Sequence, residues 1–348
     1  MTFGIIEIPS RRIGNARVQR RTFIGILASA ACARPLSAAA QSPETPRRLG
    51  VLMAYAPTDA EARTRVMAFV RELARLGWVD GQNLRIEYRW AGGDTQQIAA
   101  HSVELVRLQP DAIFAATTPV VRALLRETRT IPIVFVSVSD PVGDRFVEGL
   151  ARPGGNATGF INIESSMAGK WVELLKAIAP NVTGVSIVFN PTTAAGAGAY
   201  FMAPFEAAAR AIALQPRTVA VKDPSELDSE IALLGADRTS ALIVMPDSFN
   251  VVHRDRIIAA AARHAVPAVY PYRYMAAAGG LMSYGVELLD MYVRSAVQVD
   301  RILRGADPRE MPVQVPAKFE FVINRKTAEA LGLTIPQNLL LRADEVIQ

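Results

Sequence analysis

The sequence predicts two α/β domains, each a doubly wound parallel sheet with helices on both faces. Three observations carry this expectation. From Arg48 onward, short apolar runs rich in β-branched residues alternate with amphipathic segments at helical spacing. The alternation is interrupted by a proline- and glycine-rich segment and restarts after Gly159. The stretch over 131–160, IPIVFVSVSDPVGDRFVEGLARPGGNATGF, joins an apolar run, a polar turn, a helical stretch and a glycine-rich crossing. Its apolar run, 131–138, reads as a parallel strand buried on both faces. Ser139-Asp140-Pro141 ends the run, with Asp140 as the cap of a helix whose first residue is Pro141. That helix is expected to stop at Pro153-Gly154-Gly155, where Gly154 and Gly155 give left-handed backbone at a domain crossing and a hinge. Ligand crevices in open parallel sheets lie outside the carboxyl ends of the strands, so 137–140 is expected at a site.

The elements follow in order. A strand at 49–54 precedes an amphipathic helix at 60–77, with Val66, Phe69, Val70, Leu73 and Leu76 on one face. A strand at 84–90, a helix at 95–108, a strand at 111–116 and a helix from Pro119 to about 128 lead into the boundary stretch. A second strand starts near Thr158. In the second half, helices at 167–179, 199–213, 225–234 and 251–264 alternate with strands at 185–189, 218–221, 241–245 and 268–270. The tail offers a strand at 281–283, a helix at 288–303 and a last strand at 319–323, too little for a third domain. These pieces are expected to complete the two sheets.

With 348 residues, 50% of them hydrophobic, the chain is long enough for two cores. Residues 1–40 carry six arginines against one acid, Glu7, so the whole formal charge of +5 sits there and 41–348 sums to zero. Nucleic-acid binding thereby loses its compositional support. The same segment reads as an export signal. A basic start runs to Arg21, an apolar run covers 23–33, and Ser37 to Ala40 is a small-residue cleavage site. Arg20-Arg21 fits a twin-arginine signal, and a plain secretory signal fits nearly as well. The apolar run is short of the ~20 residues that span a membrane. Cys32, the sole cysteine, lacks the leucine three positions earlier that lipid attachment uses. A periplasmic location follows, with no disulfide after cleavage.

The boundary stretch resembles the signature of the ABC transporter substrate-binding proteins of the tryptophan/tyrosine-binding type. The resemblance continues in LARLGWVDGQNLRIEYRWAGGD, in PDAIFAATTPVVRALLRETRTIPIVF and in VINRKTAEALGLTIPQNLLLRADEVI, over about 48–347. It implies the type I periplasmic-binding (Venus flytrap) architecture, two domains joined by three crossings and closing on a ligand. The first domain is then 48–157 plus about 285–314, and the second is 158–284 plus about 315–348. The implied partners are a small organic ligand, with an amino acid or aromatic relative as the leading candidate, and the permease and ATPase of an importer. A monomer without cofactor is expected. A ligand sensor that presents its ligand to a membrane receptor is the alternative.

The resemblance implies ligand-binding positions at strand ends. In the first domain these are Tyr55, Thr58, Thr117, Thr118, Ser139 and Asp140. In the second they are Asn190, Asp247, Tyr270 and Tyr284, with Pro246 and Tyr272 beside them. Each also has a plainer role. Thr117, Thr118, Ser139 and Asp247 can cap helices, Asn190 can serve a turn, and the tyrosines can be rim or core. Asp140 is expected to share its oxygens between a helix amide and the pocket. Members that bind aromatic amino acids tend to carry Thr-Asp-Pro rather than Ser139-Asp140-Pro141, and a more polar loop than TTAAGAG after Asn190-Pro191. Their turn at Pro246-Asp247-Ser248-Phe249 also differs. The resemblance thus carries the location of the site further than its ligand. An enzyme is not expected. His101, His253 and His264 form no metal-ligand spacing, and no G-x-S-x-G, Walker A or G-x-G-x-x-G motif is present.

Overall fold

The computed structural model describes residues 45–236 and 238–348. The expected export signal over 1–40, Cys32 included, lies outside the described residues.

Strands and helices alternate as the hydrophobic pattern requires. The first lobe holds β1 (Arg47–Met53), α1 (Ala60–Arg75), β2 (Leu84–Trp90), α2 (Thr95–Arg107), β3 (Ala112–Ala116), α3 (Thr118–Glu127), β4 (Ile133–Val138) and β5 (Ala157–Ile161). The second lobe follows with α4 (Met167–Ile178), β6 (Gly184–Phe189), α5 (Ala199–Ala211), β7 (Gln215–Ala220), α6 (Pro224–Gly235) and β8 (Ser240–Val244). It continues through α7 (Ser248–Val252), α8 (Arg254–Arg263), β9 (Ala268–Tyr270), α9 (Arg273–Ala277) and β10 (Met282–Val286). The chain then returns to the first lobe with α10 (Leu288–Leu303), which packs along α1. It ends in the second lobe with β11 (Phe319–Asn324), α11 (Arg325–Ala330), α12 (Gln337–Leu340) and β12 (Glu345–Ile347). The lobes are therefore joined at 162–166, at 287 and at 316–318.

The first sheet is all parallel, in the order β2-β1-β3-β4-β5. The second runs β12-β11-β10-β9-β8-β6-β7, parallel except between β10 and β11. Period-2 alternation fills both faces of the first sheet. Val51, Phe114 and Val134 face α1 and α10, where the Phe69 and Phe114 rings stack with centroids 4.1 Å apart. Leu52, Ile113 and Phe135 face α2 and α3 with Leu105 and Leu124. Aspartates start the helices. Asp59 accepts from Ala62 N at 2.8 Å, Asp94 from Gln96 N at 2.7 Å and Asp223 from Ser225 N at 2.8 Å. Each such cap is worth about 1 kcal/mol.

The boundary stretch differs from its sequence reading. No helix forms between β4 and β5. Asp140 Oδ1 accepts from Gly143 N at 2.8 Å and Asp144 N donates to Asp140 O at 3.1 Å, but no second helical turn follows. Phe146 N reaches back to Pro141 O, one residue too far for an α-helix, and Arg145 has φ +59°. Gly154 and Gly155 do not form the lobe crossing. β5 pairs with β4 in the first sheet, so the chain leaves that lobe only after Ile161. Gly154, at φ +73°, closes a loop in which Glu148 N donates to Pro153 O at 2.8 Å. The segment 311–315 then lies along β5, with Ile161 N donating to Gln314 O at 3.0 Å. The expected helix at 251–264 breaks at His253 into α7 and α8. α9, α11, α12 and β12, too short for a periodic signal, complete the second lobe.

The glycine that matters in this stretch is Gly159. It has φ +152°, and a Cβ there would lie 2.0 Å from the Phe135 carbonyl oxygen of β4. Gly155 has open space around it. Gly159→Ala should destabilise by roughly 3 kcal/mol, at the upper end of ordinary point mutants, while Gly155→Ala should stay within about 0.5 kcal/mol. Urea unfolding of the two variants checks this through their midpoints.

Candidate functional site

The carboxyl ends of the parallel strands in one lobe face those of the other, and the cleft between them is lined by both. Tyr55 follows β1, Thr117 and Thr118 follow β3, and Ser137 and Ser139 sit at the end of β4. From the second lobe come Thr193 and Ala194 after β6, Pro246 and Asp247 after β8, and Tyr272 after β9. The enclosed cavity between them measures about 10 Å³, room for about one water. A guest larger than that would require the lobes to part or the lining side chains to turn.

The first-lobe wall is strained and under-satisfied. Thr117, the residue before α3, has φ 90°, and its side chain makes no cap bond. Its Oγ1 is buried without a hydrogen-bond partner among the described residues. Ser137, in the neighbouring strand, has φ +59°, at a register shift between β4 and β5. A bulge at that point re-aims a side chain, and non-glycine residues with such backbone cost about 1–3 kcal/mol each. The start of α3 thus offers a free hydroxyl and the positive end of a helix dipole toward the cleft. Ser139 Oγ donates to Asn162 Oδ1 at 2.9 Å, and Asn162 Nδ2 donates to the Tyr272 hydroxyl at 3.1 Å. Asn162, on the first crossing, therefore ties the two walls together.

Asp247 anchors the opposite wall. Its Oδ1 accepts from Asn250 N at 2.9 Å and Thr193 Oγ1 at 3.2 Å. Its Oδ2 accepts from Asn190 N at 3.0 Å and Asn250 Nδ2 at 3.3 Å. The residue caps α7 as expected. Burial pushes the carboxyl up to about 7 against those hydrogen bonds. Among the described residues no cation pairs with it. An ion pair does cross the lobes nearby: Arg254 Nη1 of α8 lies 2.7 Å from Asp59 Oδ2 at the start of α1, both largely buried. Arg122 Nη1 of α3 also donates to Thr192 O across the gap at 3.2 Å.

Several expected positions lie elsewhere. Thr58 is exposed on the turn before α1 and lines no part of the cleft. Asp140 spends Oδ1 on Gly143 N and stays outside the lining. Asn190 holds Asp247 through its backbone and the next turn through its Oδ1, which accepts from Thr192 N at 2.8 Å. Tyr270 is core, its ring against Gly280, because it is still in β9 and points into the lobe. Tyr272, two residues past that strand's end, reaches the cleft instead. Tyr284 packs within the second lobe, edge-on to Phe321 at 6.0 Å. Sequence reading missed Asn162 and Thr193, and also Arg65 of α1, whose buried guanidinium lies 5.7 Å from the ring centre of Tyr55 behind the cleft wall. Arg65 is the one with a signal, a charge within the apolar stripe of α1, one turn before Phe69.

Protonation of Asp247 links the site to stability. Its folded pKa is raised, so the native state holds the proton more tightly than the unfolded chain, whose value is near 4. The group's contribution is full below about pH 4 and is lost as pH rises through about 7. Asp247→Asn replaces an accepting oxygen with a donor facing donors, at a cost of about 1–3 kcal/mol. Thermal melts at pH 5 and pH 8 should show a larger gap between wild type and variant at pH 5.

The comparisons with known proteins agree with this architecture. A family profile described as ABC transporter substrate binding protein matches residues 58–347. A tyrosine-binding protein of Clostridioides difficile is 24% identical over 268 residues, 76% of this chain and 75% of that relative. A Streptococcus pneumoniae ABC domain solved in complex with L-Trp is similar at TM-score 0.80 and 27% identity, covering 87% of this chain and 100% of that one. A conserved domain protein from Vibrio cholerae is similar at TM-score 0.80 and 26% identity, with the same coverage. Sequence match, two-lobed fold and interlobe cleft agree, and the chain belongs to the ABC transporter substrate-binding protein family.

Proposed function

We propose that this protein is the extracytoplasmic receptor of an importer and that it captures the zwitterion of an amino acid, with aromatic amino acids foremost. One observation carries the reading. A buried carboxyl with no cation beside it among the described residues faces, across the cleft, a helix start whose buried hydroxyl has no partner among them either. Asp247 suits an ammonium group, whose charge would offset the burial that raises its pKa. Thr117 Oγ1 and the first amides of α3 suit a carboxylate. Tyr55, Tyr272 and Phe201 supply ring surface for an aromatic side chain. The L-Trp bound by the pneumococcal relative and the name of the C. difficile relative support the same ligand class.

The mechanism is differential binding. A ligand whose two charged ends are held by different lobes makes both contacts only when the lobes are closed, so it shifts that equilibrium by its affinity difference. Moving the population from mostly open to mostly closed takes roughly 5.5 kcal/mol. The closed form is then what the permease and its ATPase receive, from a single copy of the receptor. Chain contacts that bridge the lobes, above all Asp59 with Arg254, set the starting point of the shift.

Calorimetric titration with L-tryptophan and L-tyrosine tests the reading. Thr117→Val keeps shape and backbone preference, breaks no hydrogen bond of the free protein among the described residues and removes a buried hydroxyl that has no partner, so its melting temperature should be at or above that of wild type. Its affinity should fall about tenfold, the loss expected for one hydrogen bond to a charged group. Unchanged affinity would remove the carboxylate from the α3 start. Arg254→Ala should weaken binding about fivefold through loss of the interlobe pair, with no ligand contact removed.

A further inference from the structure

A second cavity, of about 250 Å³, opens beside the crossings. Thr64 and Arg65 of α1 form its first-lobe wall, and Tyr272, Arg273 and Tyr274 form its second-lobe wall. Val286, Leu288 and Leu289, at the second crossing, add an apolar side. It shares Tyr272 with the cleft but none of the strand-end residues Thr117, Ser139 and Asp247.

Its two cations are in different situations. Arg273 is satisfied by Glu345 at 2.7 and 2.8 Å. Arg65 is 4% exposed, and among the described residues no carboxylate lies within ion-pair distance of it. Its Nε is buried with no acceptor. Three rings surround the guanidinium, Tyr274 at 5.5 Å and Tyr55 and Tyr292 at 5.7 Å each. Rings stabilise the charge but accept no directed hydrogen bond from its five N–H groups. The Tyr274 and Tyr292 hydroxyls face the guanidinium at approaches short of hydrogen-bond geometry, and both are buried without a partner. The Arg65 Nε–H and the Tyr274 hydroxyl, neither with a hydrogen-bond partner among the described residues, belong to two residues that line this one cavity.

The acids of the wall do not neutralise Arg65. Glu287 pairs with Lys318 at 3.5 Å. Burial, then the nearby Glu287, holds the Glu320 carboxyl above its ordinary value. Glu61, one turn earlier on α1, stands beyond ion-pair distance. We propose that this cavity binds a small carboxylate with an apolar body, its oxygens held by the Arg65 guanidinium and the Tyr274 hydroxyl and its body against Val286, Leu288 and Leu289. Planar, bidentate donation is what a guanidinium offers a carboxylate. Because α1 belongs to one lobe and Tyr274 to the other, the occupant also bridges the lobes and favours closure, a coupling that rests on the closing mechanism proposed above.

Butyrate is the probe, with butyramide as its uncharged counterpart. Thermal shift and calorimetry on the wild-type protein should detect butyrate and not butyramide. Tyr274→Phe keeps the ring and should lower butyrate affinity about tenfold, and Arg65→Gln should abolish it. Thr117→Val, on the cleft wall, should leave butyrate affinity unaltered. No binding of butyrate to wild type overturns the proposal, as does equal binding to Tyr274→Phe. Loss on Thr117→Val also overturns it, by moving the anion into the cleft. Binding that requires Glu61→Gln would show Arg65 already paired with Glu61 in solution and is equally fatal. Failure of L-tryptophan to bind would leave the butyrate result standing, so the two readings fail separately.

Discussion

A parallel sheet has all its strands ending at one edge, and that constraint governs this molecule. Buried on both faces, its strands can carry polar groups only where they stop. Thr117, Ser137, Asp247 and Tyr272 all sit at or just past such a stop. Two sheets set edge to edge then place every one of these groups in a single gap. The three crossings keep the edges opposed, and Asn162 on the first of them connects Ser139 of one wall to Tyr272 of the other.

The energetics of that gap are unbalanced on purpose-built positions. The left-handed backbone at Thr117 and Ser137, the buried Asp247 carboxyl and the orphaned Thr117 hydroxyl each cost stability in the free protein. The cores beneath them are fully packed and hold these groups in place, from Phe69 on Phe114 in one lobe to Trp171 beside Phe201 in the other. A hydroxyl left unsatisfied by the fold, as at Thr117, is a group that a ligand can satisfy, and the proposed recognition draws on the same wall that holds the strain.

Much of this was legible in the sequence. Apolar runs marked the strands, apolar residues at helical spacing marked the longer helices, and the restart after Gly159 marked two lobes. What misled was local. Asp140-Pro141 is a sound helix start, but Gly143, Arg145 and the turn to Phe146 leave nothing to continue it. Gly154-Gly155 looks like a crossing, but strand pairing decides where a chain changes lobe, and β5 pairs with β4. Tyr270 and Tyr272 share a side of an extended chain, yet the strand ends between them and only the second reaches the cleft. Arg65 was readable as a charge on an apolar helix face. Asn162 was not, since its role exists only where three segments meet.

Under the proposed mechanism, two lobes close on a ligand that each holds by one end. Small-angle X-ray scattering of the protein with and without saturating L-tryptophan tests it most directly. Closure should give a smaller radius of gyration with ligand, and a return toward the unliganded value for Thr117→Val at the same ligand concentration. A radius unchanged at a ligand concentration that calorimetry has shown to saturate the protein would contradict it.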